Sequence, residues 1–223
     1  MKHFDDIYAV ALNRKGGEKE LAKLLGKPKR PSTLRKIPDH RWLSAMTKSV
    51  FRAGFVWRVV EHKWADFERA FNGFDVQAVA YMSDEAIDAL LEDPSVIRHR
   101  RKLFATRENA SFLMELAAEH GSAARFIADF PSHSYVDLLD VLKKQASRMG
   151  GTSAQYCLRE MGKDSFILSR DVTAALIREK IVDRATSSKR DRRAIQDAFN
   201  IWCEQSGRSL TEVSRVLAMS IES

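Results

Sequence analysis

Cysteine is scarce: Cys157 and Cys203 are the two in the chain. Two isolated cysteines supply neither a disulfide framework nor a Cys-rich zinc site, and they fit a reducing compartment. No apolar stretch approaches the roughly 20 residues that span a bilayer, and the opening Met1-Lys2-His3-Phe4-Asp5-Asp6 lacks the apolar core of a secretory signal. Convincing period-two alternation is missing, which argues against half-buried strands, and no internal repeat is visible. These absences lead us to expect a cytoplasmic protein without a membrane partner.

Apolar residues, at 44% of 223, and four tryptophans are enough to bury a core, which excludes a disordered chain. The formal net charge is +7 despite 30 acidic residues. Such an excess suits a polyanionic partner, because phosphate contacts release counterions and dominate non-specific affinity. Charge of this size also serves solubility alone, so by itself it does not separate the two.

The apolar periodicity is helical almost throughout, predicting an all-α fold. Ile195, Ala198, Phe199 and Trp202 form an i, i+3, i+4, i+7 stripe, and Ser188 with Asp191 marks its start. Leu103, Phe104, Ala110, Leu113, Met114 and Ala117 predict a helix ending at Gly121, and Ser134 with Asp137 begins another that carries Leu138, Leu139 and Leu142. Ser209 with Glu212 opens the last. One amphipathic helix is expected from Asp39 to His62. Between Gly26 and Pro38 lies a Pro-rich basic connector, read as a solvated loop or as an arm over a phosphate backbone. The expected organisation is a helical extension and connector over 1–38, then one helical domain over 39–223.

Tyr135 through Val172 is the most informative stretch. A helix ending in Leu142-Lys143-Lys144 runs through Arg148-Met149-Gly150-Gly151-Thr152 into a second helix, Ser153 to Met161, closed by Gly162. Two helices cornered by glycine form an αα-hairpin, whose turn amides can receive a phosphate. Gly-Gly between helices also serves as plain connection. Downstream, Ser165-Phe166-Ile167-Leu168-Ser169-Arg170-Asp171-Val172 delivers Asp171 to the start of a helix expected over 172–180, where the helix dipole favours negative charge. Either Asp171 or Ser169 alternatively serves there as a simple N-cap.

These residues resemble the helix-hairpin-helix DNA glycosylase superfamily, and more closely the DNA-3-methyladenine glycosylase I family. The resemblance is carried by Phe51-Arg52-Ala53-Gly54-Phe55-Val56-Trp57, Ala70-Phe71-Asn72-Gly73-Phe74-Asp75 with Val79-Ala80-Tyr81-Met82, Ile97-Arg98-His99-Arg100-Arg101-Lys102 with Asn109-Ala110, Leu142-Lys143-Lys144, and Gly151-Thr152. In one collinear order they span about positions 40 to 175 and leave both ends uncovered. The fold implied is a two-lobed helical bundle. The activity implied is monofunctional N-glycosylase chemistry on alkylated purines, chiefly 3-methyladenine, in double-stranded DNA, by a monomer without a cofactor.

Residue by residue, the resemblance places Trp57 at the pocket tryptophan, where stacking selects a cationic base, with core packing as the alternative. Phe51 and Ser49 fall in the same pocket, Phe51 with a core alternative. Gly150, Gly151 and Thr152 fall at the phosphate-gripping turn, with Arg98, Arg101, Lys102, Lys144 and Arg148 as further DNA contacts. Three departures stand out. Ser49 occupies the position of the pocket glutamate, the N-terminal Tyr and Trp pocket residues have no counterparts, and no Cys2His2 set matches the family's zinc, so no metal is expected. Asp171 takes the place of the superfamily's catalytic aspartate in one alignment and of a histidine in the other. No lysine stands at the hairpin position of the lyase members, which argues against a β-lyase step. The alternative is a glycosylase-fold protein, catalytically weak or inactive, that binds damaged or branched DNA. A helical protein-interaction module unrelated to DNA is the third.

Overall fold

The computed structural model describes residues 1–185 and 188–222. In chain order the helices begin with α1 (Phe4–Arg14), α2 (Glu18–Leu25), α3 (Pro31–Leu34), α4 (Asp39–Arg52) and α5 (Trp57–His62). They continue with α6 (Trp64–Ala70), α7 (Val76–Ala80), α8 (Asp84–Ala89), α9 (Arg100–His120) and α10 (Ala123–Asp129). The last are α11 (Tyr135–Gln145), α12 (Thr152–Met161), α13 (Arg170–Arg178), α14 (Lys189–Ser206) and α15 (Leu210–Met219). Among the described residues there is no strand, and no helix is long and apolar enough to cross a membrane. The chain folds as two compact units, one of Met1–Lys29, Phe130–Leu138 and Gly162–Ser223, the other of Arg30–Asp129 and Leu139–Met161.

In the first unit, α15 packs on α1, α2, α13 and α14. Ile195, Ala198, Phe199 and Trp202 are all buried, as their spacing requires. Phe166 stacks on Phe199 at 4.3 Å, while Tyr135 meets Phe166 edge-on at 4.9 Å. The Trp202 indole N–H donates to the Lys2 carbonyl at 3.2 Å, tying the start of the chain to this core. Helix α15 opens with the reciprocal box that Ser209 and Glu212 foretold. Asp164 also accepts from the Leu210 and Thr211 amides. Removing the cap hydroxyl in Ser209→Ala is expected to cost about 1 kcal/mol, read as a lower midpoint in urea unfolding.

In the second unit, α4 packs against α9, α10 and α12. Trp64 stacks on Phe67 and on Phe74, and Phe71 on Phe74, in one aromatic cluster. Both Asp39 carboxylate oxygens accept amides of Ala123 and Ala124, satisfying donors that the start of α10 would otherwise leave orphaned.

Several expected boundaries move. The single helix expected over 39–62 is two, α4 and α5, because Ala53 turns extended and Gly54 takes φ 78. That break sets Trp57 at the first position of α5. The connector contains α3, with Pro31 at its first position, where its missing N–H costs nothing. Helix α13 begins at Arg170, and Ser169 is its cap, accepting the Val172 amide at 3.2 Å. The hairpin's second helix starts at Thr152 rather than Ser153 and ends at Met161, closed by Gly162 at φ 98.

Candidate functional site

A cavity of about 240 Å³ opens in the second unit. Ser49 and Arg52 of α4, Gly54 of the turn after it and Trp57 of α5 line it on one side; Thr152, Ser153 and Tyr156 line it from α12. Ser49 and Arg52 lie three residues apart on one face of α4, as Ser153 and Tyr156 do on α12. Trp57 is 44% exposed, a large ring left half in solvent. Tyr156 meets it edge-on at 5.2 Å, and the Arg52 guanidinium carbon lies 4.8 Å from its centroid. Ser49 is buried, its hydroxyl donating to the Ser153 carbonyl at 2.6 Å.

Val60 alone is buried in α5, so little core packing anchors the helix that carries Trp57. Ion pairs do that work instead. Arg52 Nε and Nη2 both donate to Glu61, Nη1 donates to Glu160, and Lys48 reaches Glu61 at 3.4 Å. Burial opposes the Arg52 charge, yet the hydrogen bond to Glu61 and the charge of Glu160 outweigh it and raise its pKa further. Burial likewise opposes ionised Glu61, but the Arg52 hydrogen bond and the Lys48 charge hold its pKa below the usual glutamate value of 4.5. A depressed carboxyl stabilises the fold above its unfolded pKa, and that contribution fades as pH falls through the folded one.

Beside the cavity sits the hairpin turn. Arg148 and Gly151 take left-handed conformations, φ 57 and 58, whereas Gly150 does not. Buried Asn109 holds the turn with both ends of its amide: it donates to the Ser147 carbonyl at 3.1 Å and accepts the Ser147 amide at 2.7 Å. Gly151 and Thr152 are exposed, as are Lys143, Lys144 and Arg148 around them. This arrangement presents a helix N-terminus and loose cations to solvent, a combination suited to phosphate.

The other expected residues are dispersed. Arg98 and Arg101 are exposed at the start of α9. Lys102 turns inward and donates to the Phe51 and Ala53 carbonyls, satisfying the orphaned end of α4. Desolvation, then the charge of Arg148, lower its pKa. Phe51 is fully buried, edge-on to Phe67 at 4.7 Å, and is not among the residues lining the cavity. Asp171 occupies the first turn of α13 in the other unit. Cys157 is buried in α12, and desolvation raises its thiol well above its ordinary value, leaving it a poor nucleophile. Arg52 and Tyr156 belong to the site although no motif assigns them a role there; their helical spacing from Ser49 and Thr152 is the signal that finds them.

The fold is shared with solved DNA glycosylases. The 8-oxoguanine glycosylase/lyase of Methanocaldococcus jannaschii, solved with DNA, matches over 94% of both chains at TM-score 0.55 and 15% identity. The 3-methyladenine DNA glycosylase I of Staphylococcus aureus matches over 71% of this chain and 95% of its own, at TM-score 0.52 and 20% identity. A sequence profile described as methyladenine glycosylase matches residues 35–165, and the chain belongs to that family. DNA-3-methyladenine glycosylase 1 of Escherichia coli (strain K12) is 30% identical over 82 residues, 37% of this chain and 44% of that relative's length.

Proposed function

We propose that the chain is a cytoplasmic, monomeric, monofunctional DNA N-glycosylase that extrudes an alkylated purine, chiefly 3-methyladenine, into the Trp57 cavity and hydrolyses its glycosidic bond. The observation that carries this reading is a half-exposed tryptophan lining a cavity beside a phosphate-ready hairpin turn. Membership of the methyladenine glycosylase family supports the substrate class.

Alkylation puts positive charge on the purine and makes it a good leaving group, so the enzyme needs little acid catalysis. Trp57 offers the flipped base a π face, and Ser49 and Ser153 offer polar atoms at its edge. Outside the cavity, Val56 on the turn is 67% exposed, an apolar side chain placed to fill a gap left in the base stack. The C1′–N bond breaks with its electron pair leaving on the base. Water then bonds C1′ and releases one proton to solvent. Asp171, by its order in the sequence, is our candidate for the carboxylate that opposes the developing sugar cation. Asp171→Asn is expected to slow release while leaving DNA affinity unchanged.

The turn amides at Gly151 and Thr152, with Lys144, Arg148, Arg98 and Arg101, are assigned to the phosphates. Lys144→Ala is expected to reduce the slope of log affinity against log salt by about 0.9, one phosphate contact. Incubating wild-type protein with methylated duplex DNA tests the activity directly. Released 3-methyladenine above a mock-purified control supports it, and none at all rejects it. A second reading, damage binding without excision, draws on Ser49, whose proton is already committed to the Ser153 carbonyl. Salt-sensitive binding to damaged duplex with no base released would favour that second reading.

A further inference from the structure

The formal charge on the cavity wall is positive. Among the lining residues Arg52 alone carries a charge; Ser49, where the family resemblance implied a carboxylate, carries none. The Arg52 side chain is 13% exposed, whereas its partners Glu61 and Glu160 are 46% and 40% exposed and do not line the cavity. Arg52, Lys48 and the two carboxylates form a mixed-charge cluster, of which the Arg52 guanidinium alone reaches the cavity. Its hydrogen bonds to both glutamates hold it in place, and it already occupies part of the electron-rich environment of Trp57. Any cationic base stacking on that indole meets a resident cation at close range. Three of the five guanidinium N–H donors are used, which leaves two for the acceptor edge of a neutral purine.

We propose that Arg52 is the specificity-determining residue of this cavity, weakening its preference for cationic bases and widening it to neutral purines that present acceptors. The proposal rests on the reading above, that a flipped base enters this cavity, and names what that base is. Glu160 tempers the effect from behind by neutralising part of the Arg52 charge. The two residues therefore push selectivity in opposite directions, which a purely structural role for the ion pair would not do.

Duplexes carrying one 7-methylguanine, cationic at neutral pH, or one hypoxanthine, neutral, test this. Affinity and single-turnover release are measured for wild type, Arg52→Gln and Glu160→Gln. Arg52→Gln is expected to raise the cationic-to-neutral preference by about ten-fold, and Glu160→Gln to lower it by about three-fold. A preference within two-fold of wild type in Arg52→Gln overturns the proposal. If no protein releases a base but the binding preferences shift in these two directions, excision is rejected and the assignment of Arg52 stands. If Arg52→Gln loses its helical circular dichroism, Glu160→Gln decides: a shift toward the neutral base supports the proposal and no shift overturns it.

Discussion

Trp57→Ala is expected to slow single-turnover release of 3-methyladenine by about 10- to 100-fold, the loss of one base–aromatic stack. The ring is nearly half exposed and heads a helix with one buried residue, so its removal takes little from the core. Stability should change by less than about 1 kcal/mol. That separation of activity from stability is the informative part. A core tryptophan such as Trp42 or Trp202, both fully buried, would show the reverse pattern. Trp57→Phe should recover most of the rate, since it keeps an aromatic face. Equal, large losses of stability and rate in Trp57→Ala would return Trp57 to a packing role.

Asn109→Leu is expected to destabilise the protein by about 2–4 kcal/mol, because the Ser147 amide and carbonyl lose their partners in a buried setting. Leucine has as many side-chain heavy atoms as asparagine but is bulkier, so some overpacking at this buried site adds to the polar deficit. The same substitution frees the turn that presents Gly151 and Thr152. Affinity for undamaged duplex should fall along with the melting temperature, measured at a temperature where the variant is still folded. A variant with lowered melting temperature but unchanged affinity would detach the turn from DNA binding.

Helices were legible in the sequence wherever local signals agreed. The Ile195–Trp202 stripe, the Ser209–Glu212 box and the glycine stops at Gly121 and Gly162 all lie within a turn or two of the structure they specify. What escaped was set by distant partners. Gly54 alone is tolerated inside a helical pattern, and the apolar spacing from Phe51 to Val59 continues across it. The end of α4 is instead completed by Lys102, some fifty residues away, which accepts no place on the surface because the Phe51 and Ala53 carbonyls need a donor. A basic run reads as a solvated face until one of its members finds such a task. Arg52 illustrates the same limit: it sits within a recognisable motif, but the two glutamates and the indole that give it meaning come from α5 and α12.

The most direct measurement is a crystal structure of the protein with a duplex containing a stable abasic analogue and soaked with 3-methyladenine. The free base is expected against the Trp57 ring, between Ser49 and Tyr156, with a backbone phosphate on the Gly151 and Thr152 amides. A base bound elsewhere, or a duplex whose phosphates never approach that turn, would contradict this placement.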